Sequence, residues 1–543
     1  MVQEIQGIGR RKLLAGAAAG VGGAALAGSL LPGGAAYADT APAVAPAAGV
    51  GPADQQYPDL IMGLNTRWTA TPNAVYVPDN PAQIAPIVQS AVTSGSRLTV
   101  RSGGHCFENF TYNADVKTII DLTNMKGIYY HSGLNAIAVE PGAILLDVYK
   151  KLYRTWGVIL PGGVCYSVGI GGHVAGGGWG WLVRRNGLII DHLYAVEVVV
   201  VDAYGKAKAI VATREKTDPN RELWWAHTGG GGGNFGVVTR YFFRSPGATG
   251  TDPRNLLPKP PQKVLSSFVA WNWADLTQAD FNRIVQNYAN WHVANSSPTS
   301  PTRNLVSLIQ AFHKSNGQFL LLSAVDASVS NAQSMLDDYL AAIRNGVVAT
   351  PFVAEVPQPW LQFAEQTGTT NALLNDVTLR AKYKSAYMKS AFTPTQLNGL
   401  YNALTRADIN NPKINLVISP YGGATAAVAP SDTAMPHRQA ALKLLWSVQW
   451  PDPADDALYI GWARQSYQET FSETGGMPVP NDVTDGCYIN YADVDTRDPV
   501  WNQSTATWHD LYYKDNYPRL QAVKKAYDPR NIFRHGLSIE LPS

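Results

Sequence analysis

Apolar and polar positions along this chain switch between two periods, and the switches mark its elements. Pro81 to Ser94 has helical periodicity and follows the start signal Pro78-Asp79-Asn80. Leu98-Thr99-Val100-Arg101 reads as a short strand running into a glycine loop, and Thr118 to Leu122 and Ala136 to Glu140 read as further strands. Glu140-Pro141-Gly142-Ala143 is a turn, and Leu145 to Trp156 a helix. Ala195 to Asp202 reads as a largely buried strand that ends in the hairpin-like turn Ala203-Tyr204-Gly205-Lys206. Pro246 to Pro261, rich in Pro, Gly and polar residues, marks a crossing between domains. Beyond it, strands such as Val264–Trp271 and Phe319–Asp326 alternate with helices such as Gln278–Ala294 and Asn331–Arg344, which predicts an antiparallel sheet with helices. Strongly patterned sequence returns around Tyr488 and from Tyr513 to Phe533. Strands and helices in this irregular order predict an α+β fold, not a doubly wound sheet.

The pattern breaks between Pro161 and Gly180, where nine of twenty residues are glycine. Such a run excludes an ordinary helix or strand, and it lets backbone press against a ligand and aim N–H groups at it. Arg101-Ser102-Gly103-Gly104-His105 precedes it and Gly229 to Gly236 follows. None of the three loops has the strand, tight turn and helix context of a Gly-x-Gly-x-x-Gly dinucleotide fingerprint. Three such loops, one ending in His105 and one holding Cys165, suggest a large, flat, anionic cofactor held on several sides.

Composition narrows the class. The chain has 543 residues, 45% hydrophobic, enough for a large core and two or more domains. A net charge of +2 gives no argument for nucleic acid, and 15 Trp with 26 Tyr favour a ligand with rings or sugar faces. Three cysteines, Cys106, Cys165 and Cys487, do not make a disulfide framework. Arg10-Arg11-Lys12 before an Ala/Gly-rich apolar run, with Ala36-Tyr37-Ala38 behind it, resembles a twin-arginine export signal over residues 1–38, with an ordinary secretory signal as the alternative. Residues 39–58 are Ala/Pro/Gly-rich and read as a disordered leader. No later stretch has the roughly 18 apolar residues that span a bilayer, so stable membrane association is not expected.

Several of these motifs together resemble one family. They are Arg101 to His105, Cys165 through Gly180, Leu223-Trp224-Trp225-Ala226 running into Phe235-Gly236-Val237-Val238-Thr239, Tyr488-Ile489-Asn490-Tyr491-Ala492-Asp493, and the tail from Tyr513 to Phe533. The chain is similar to flavoproteins with the para-cresol methylhydroxylase-type FAD domain, in the berberine-bridge-enzyme-like branch. It looks closer to bacterial members with export signals, which include a sugar-oxidising enzyme of antibiotic biosynthesis, than to plant members. The resemblance implies an FAD domain over 59–245, completed by 481–543, and a substrate domain over 246–480.

It also implies two covalent bonds to FAD, from His105 to the ring methyl and from Cys165 to the adjacent ring carbon. Read singly, His105 is equally a loop histidine and Cys165 a small buried hydrophobe. Cys106 is either inert or a competing thiol. Arg101, Ser102, Gly103 and Gly104 are expected at the pyrophosphate, and Gly169, Gly171, Gly172, His173, Gly176 and Gly177 along the flavin or ribityl side. Val237 is expected at the adenine end, and Tyr488 and Asn490 at the flavin ring. Val168 stands where oxidases of the family carry valine, and Tyr166 where many relatives carry proline.

Alcohol oxidation needs a base at the hydroxyl and a hydride acceptor. The resemblance places Tyr491 as the base and Tyr421 as a second tyrosine on the substrate side, with no metal. A tyrosine base, pKa roughly 10 unperturbed, needs a nearby cation or hydrogen bonds to tune it downward. The sequence identifies no such cation. The expected reaction is oxidation of a secondary alcohol or lactol on a sugar or glycosylated natural product, with O2 reduced to H2O2. Alternatives are oxidative C–C or C–N bond formation on an aromatic metabolite, a carbohydrate-binding protein that has lost turnover, and a dehydrogenase that passes electrons to a carrier.

Overall fold

The structure is a computed structural model that describes residues 45–369 and 375–543; the expected export signal lies outside them. Three sheets organise the chain. A four-stranded sheet has the order Gly49–Val50, Ala74–Tyr76, Thr118–Asp121, Leu98–Arg101, with its last three strands parallel. A five-stranded antiparallel sheet has the order Ile128–His131, Ala136–Val139, Val237–Phe243, Leu193–Val201, Ala207–Thr213. The third sheet has seven antiparallel strands, in the order Phe352–Pro359, Lys263–Asn272, Gln318–Asp326, Leu305–Phe312, Asn415–Pro420, Leu442–Trp450, Arg380–Met388. This is the α+β class, with the predicted hairpin closed by Lys206 O accepting from Asp202 N–H at 3.1 Å.

The valine run of Leu193–Val201 shows why that strand reads as apolar throughout. Val196, Val198 and Val200 enter the main core, while Val199 and Val201 join Ile84, Ile87 and Val88 of helix Ile84–Thr93 in a second one. A strand covered on both faces loses the alternation of a half-solvated one.

The seven-stranded sheet keeps its alternation, for a different reason. Along Leu442–Trp450, Trp446 packs on Tyr467 and Phe471 at helix Asp456–Thr470, with ring centroids 5.0 and 5.7 Å away. Its neighbours Leu445, Ser447 and Gln449 point the other way and line a cavity. One face of the sheet is thus a helix-covered core, and the other is the wall of a site.

Two expectations need correction. Within the expected leader, residues 49–58 are not unstructured: Gly49–Val50 pairs with Val75–Tyr76, and the buried Tyr57 donates its hydroxyl to Pro72 O at 2.7 Å. The Ala/Pro-rich composition masked that aromatic anchor. The glycine run also contains a short helix, Ile170–Ala175, because Ile170, Val174 and Ala175 are buried and offset the poor propensity of Gly171 and Gly172.

A buried ion cluster ties distant segments together. Lys382 bonds Glu108 at 2.8 Å and Asp493 at 2.6 Å, and Lys384 bonds Asp493 at 2.6 Å and Asp495 at 2.8 Å. Arg464 adds a contact to Asp495 at 2.8 Å. The loop after His105, the last strand of the large sheet and the segment after Tyr491 are fixed against one another by these paired buried charges.

Candidate active site

The strand Leu98–Arg101 delivers its C-terminal loop against the Cys165–Gly172 loop. The two backbones touch so closely that a Cβ on Gly169 would stand 2.1 Å from Ser102 Oγ and 2.3 Å from Gly103 N. Gly104 has φ +75°, and a Cβ there would meet the Arg101 guanidinium at 3.1 Å. A glycine therefore lets the loop fold over Arg101, whose other end pairs with Asp121.

These loops open into a cavity of about 430 Å³. Arg101, Ser102, Gly103, Gly104, His105, Cys165, Val168, Gly169, Gly171, Gly172, His173, Tyr488, Asn490 and Tyr491 all line it, as expected. It continues past Gly231–Gly233 to Phe110, Phe533 and His535. The lining fits a long, flat, anionic cofactor of the flavin dinucleotide kind. A Cβ on Gly172 would meet nothing within 4 Å, and Arg101 Nε is buried without a partner among the described residues. Both observations mark places where a ligand completes the packing.

His105 and Cys165 converge on one hydroxyl. Ser167 Oγ lies 2.8 Å from His105 Nε2 and 3.7 Å from Cys165 Sγ, and it donates to Asn375 Oδ1. Burial, then the nearby Arg101, pushes His105 down to about 4, so its imidazole is neutral and keeps a lone pair. Burial raises the Cys165 thiol, and hydrogen bonds from Ser167 and Val168 oppose that rise. Burial pushes the neighbouring Cys106 thiol up to about 11, which disfavours its thiolate at neutral pH. Among the described residues no two cysteines form a disulfide.

The tyrosines differ in how their hydroxyls are held. Tyr488 OH accepts from Gly178 N–H at 3.0 Å and from Asn490 Nδ2 at 2.9 Å, and Asn490 Nδ2 also donates to His173 O. This tyrosine is a fixed strut. His173 Nε2 accepts from Gly163 N–H at 2.9 Å, and burial pushes that ring down to about 4. Tyr491 OH instead meets Lys443 Nζ at 3.0 Å. Lys443 is 2% exposed and sits among the rings of Tyr491, Trp179 and Tyr488, 4.2, 4.6 and 5.0 Å from their centroids. Burial pushes its amine down to about 7, and burial likewise raises Tyr491 above the ordinary phenol range. Lys443 is an amine beside Tyr491 that the sequence did not reveal.

The wall facing this pair is the open face of the seven-stranded sheet. Gln310, Asn415, Ser419, Ser447 and Gln449 line the cavity alongside Leu308, Val417 and Leu445. Among the described residues no Asp or Glu lines it. A wall of neutral amides and hydroxyls interleaved with aliphatics suits a ligand rich in hydroxyl groups.

Four expected residues are not brought to the cavity. A Cβ on Gly176 would collide with Asn490 Oδ1 at 2.1 Å, and one on Gly177 with the Met435 methyl at 2.8 Å, so Gly176 packs against the C-terminal segment and Gly177 against Met435 instead. Val237 is wholly buried, and its neighbours Gly236 and Val238 line the cavity. Tyr421 is 1% exposed, and its ring packs edge-on against Tyr387 at 5.1 Å. The turn at Gly422 and Gly423, both at positive φ, carries the chain inward past it.

Comparison with known proteins points to the same cofactor class. Residues 72–208 match the FAD binding domain family model, and 487–540 the berberine and berberine-like model. The aclacinomycin-N/aclacinomycin-A oxidase of Streptomyces galilaeus is 46% identical over 90% of this chain and 89% of its own. Among solved structures, a flavoenzyme of shunt-product recycling in caerulomycin biosynthesis superimposes with TM-score 0.90 at 43% identity, over 92% of this chain and all of the other. A glycopeptide hexose oxidase complexed with teicoplanin gives 0.87 at 44% identity, over 91% and 99%.

Proposed function

The chain belongs to the berberine-like family of FAD-dependent oxidoreductases, and from that premise we propose that it oxidises a hydroxyl-bearing carbon of a sugar or glycosylated natural product, with O2 as the acceptor and H2O2 as the product. The observation that carries this reading is the Tyr491–Lys443 contact of 3.0 Å in a cavity that His105, Cys165 and a neutral polar wall also line. His105 and Cys165 would hold FAD covalently, and Arg101 to Gly104 would meet its pyrophosphate. When bound, FAD supplies the hydride acceptor.

The chain's own residues do the rest. Tyr491 takes the proton of the substrate hydroxyl, and Lys443 beside it stabilises the phenolate that can accept it. At neutral pH the pair is near the loss of one shared proton, since burial has brought Lys443 to about 7. Gln310, Asn415 and Ser447 orient the substrate through hydroxyl contacts, and Asn415 Oδ1 is buried without a partner among the described residues. Val168 at the cavity supports O2 as acceptor. Tyr488 and Asn490 hold the ring of Tyr491 in place from behind, with the Tyr488 and Tyr491 centroids 4.9 Å apart.

The reading also includes export by the twin-arginine route. Among the described residues no helix is long and apolar enough to cross a membrane. That no Asp or Glu among the described residues lines the cavity favours the tyrosine-based oxidation over bond formation driven by a carboxylate base.

Anaerobic mixing of the yellow protein with a panel of sugars and glycosides tests the proposal. Bleaching of the flavin, followed by one H2O2 per substrate on admitting air, is the expected result. An unchanged spectrum across the panel would point to a binding protein. Bleaching without peroxide would point to a dehydrogenase.

A further inference from the structure

The His105–Ser167–Asn375 chain has a direction. Asn375 Oδ1 is the acceptor for Ser167 O–H and lies 3.6 Å from Cys165 Sγ, a second donor. A carbonyl oxygen with two donors against it is the consistent orientation of this amide. The Ser167 hydroxyl, having spent its proton on Asn375, is an acceptor toward His105 Nε2, 2.8 Å away. Nε2 therefore carries the imidazole proton, and the bare lone pair is on Nδ1. Both attachment residues, on loops 60 positions apart in the chain, meet this one hydroxyl at the edge of the cavity.

We propose that Ser167, supported by Asn375, is the positioning residue for covalent flavin attachment: it fixes the His105 tautomer so that Nδ1 faces the ring methyl. This rests on the reading that His105 holds the flavin. In the attachment, His105 Nδ1 forms a bond to the methyl carbon, and that carbon gives up one hydrogen as a proton. The proton on Nε2 leaves through the Ser167 hydroxyl, which can then rotate to donate to the freed nitrogen. The two electrons released go to the isoalloxazine ring, which takes up both protons. Reoxidation by O2, giving H2O2, restores the oxidised ring.

The test uses the Cys165→Ala protein, in which His105 is the sole attachment. Full-length Cys165→Ala and Cys165→Ala/Ser167→Ala proteins, made under flavin limitation, are mixed with FAD. Attachment is followed as acid-precipitable flavin, and the linked nitrogen is identified in the digested flavin-peptide by NMR. The expected result is attachment slowed by about tenfold, the scale of one neutral hydrogen bond, with unchanged non-covalent FAD binding and part of the product linked through Nε2. Ser167→Thr should restore both rate and linkage. Asn375→Leu, which removes the acceptor and leaves both His105 and Ser167 in place, should slow attachment as well and serves if Ser167→Ala folds poorly. Equal rates and a uniform Nδ1 linkage in the Ser167→Ala and Asn375→Leu proteins would overturn the proposal. If Cys165→Ala alone attaches no flavin, the His105 reading itself fails, and the proposal with it.

Discussion

Replacing Lys443 by Met tests the heart of the proposed chemistry. The side chain keeps its length and apolar packing among Trp179, Tyr488 and Tyr491 but loses its charge. Two opposing terms set the behaviour of the natural pair. Burial disfavours the ammonium: the fall from 10.5 to about 7 corresponds to about 5 kcal/mol. Attraction to a phenolate at 3.0 Å, at an effective dielectric of about 20, is also about 5 kcal/mol. The attraction offsets the burial cost of the ammonium but not the burial that also raises Tyr491, so once the pair has lost one proton the phenolate–ammonium form is a minority form, reached when Tyr491 passes its proton to the neutral Lys443 amine, and it is in that form that Tyr491 acts as a base. Below about pH 7 the pair gains a proton and the base is occupied. The rate of flavin reduction, followed anaerobically by stopped flow, should therefore rise with pH through about 7 and then level off. In Lys443→Met nothing offsets the burial that raises Tyr491, so the rise should move above the ordinary phenol value of 10. The reduction rate at pH 7 should fall by roughly a thousandfold, within the 10²–10⁴ range typical of a general base. A variant that reduces its flavin within about threefold of wild type, with the same pH midpoint, would refute the assignment.

Other expected outcomes are equally concrete. After acid precipitation, flavin should stay with the protein in His105→Ala and in Cys165→Ala and be lost from the double variant; loss from wild type would end the bicovalent reading. Gly169→Ala places a methyl 2.1 Å from Ser102 Oγ, so the two loops should separate, and the protein should be recovered with little flavin and a lowered Tm. Gln310→Ala removes one neutral hydrogen bond from the sheet wall and should raise KM by about fivefold with kcat little changed; an unaltered KM would place the substrate elsewhere. Lys382→Met leaves Glu108 and Asp493 without one of their buried partners and should cost about 3–5 kcal/mol, read as a fall in Tm or in denaturant midpoint.

The residues differ in how far local pattern could reveal them. His105, Cys165 and the glycines around them are legible because close backbone approach demands glycine, and the proposed covalent attachment a nucleophile, in short, contiguous loops. Tyr491 is legible for the same reason, since it sits in a compact element with Tyr488 and Asn490. Tyr421 also lies in a distinctive stretch, yet the turn that follows buries it against Tyr387. Val237 misleads in a smaller way, by a one-residue shift along a strand whose alternate positions face the cavity and the second core. Residues 49–57 were hidden by their composition, although one tyrosine suffices to pin them down.

By itself the sequence determined the fold class, the chief secondary-structure elements, the cofactor class and the histidine and cysteine that line its cavity. These depend on short-range periodicity and on motifs whose chemistry is complete within a few residues. The tertiary structure decided what surrounds the reacting carbon. In Leu442–Trp450 the lysine at 443 reads as a polar position on an alternating strand, which is ordinarily solvated. Only the packing of that strand against Trp179, Tyr488 and Tyr491 makes it a buried cation. The same holds for Gln310, Asn415 and Ser447, which come from three separate strands and become one wall because antiparallel register sets them on one face of the sheet. Partners so distant in the chain leave no local signature, since their meeting is fixed by strand order and by the core that holds the strands together.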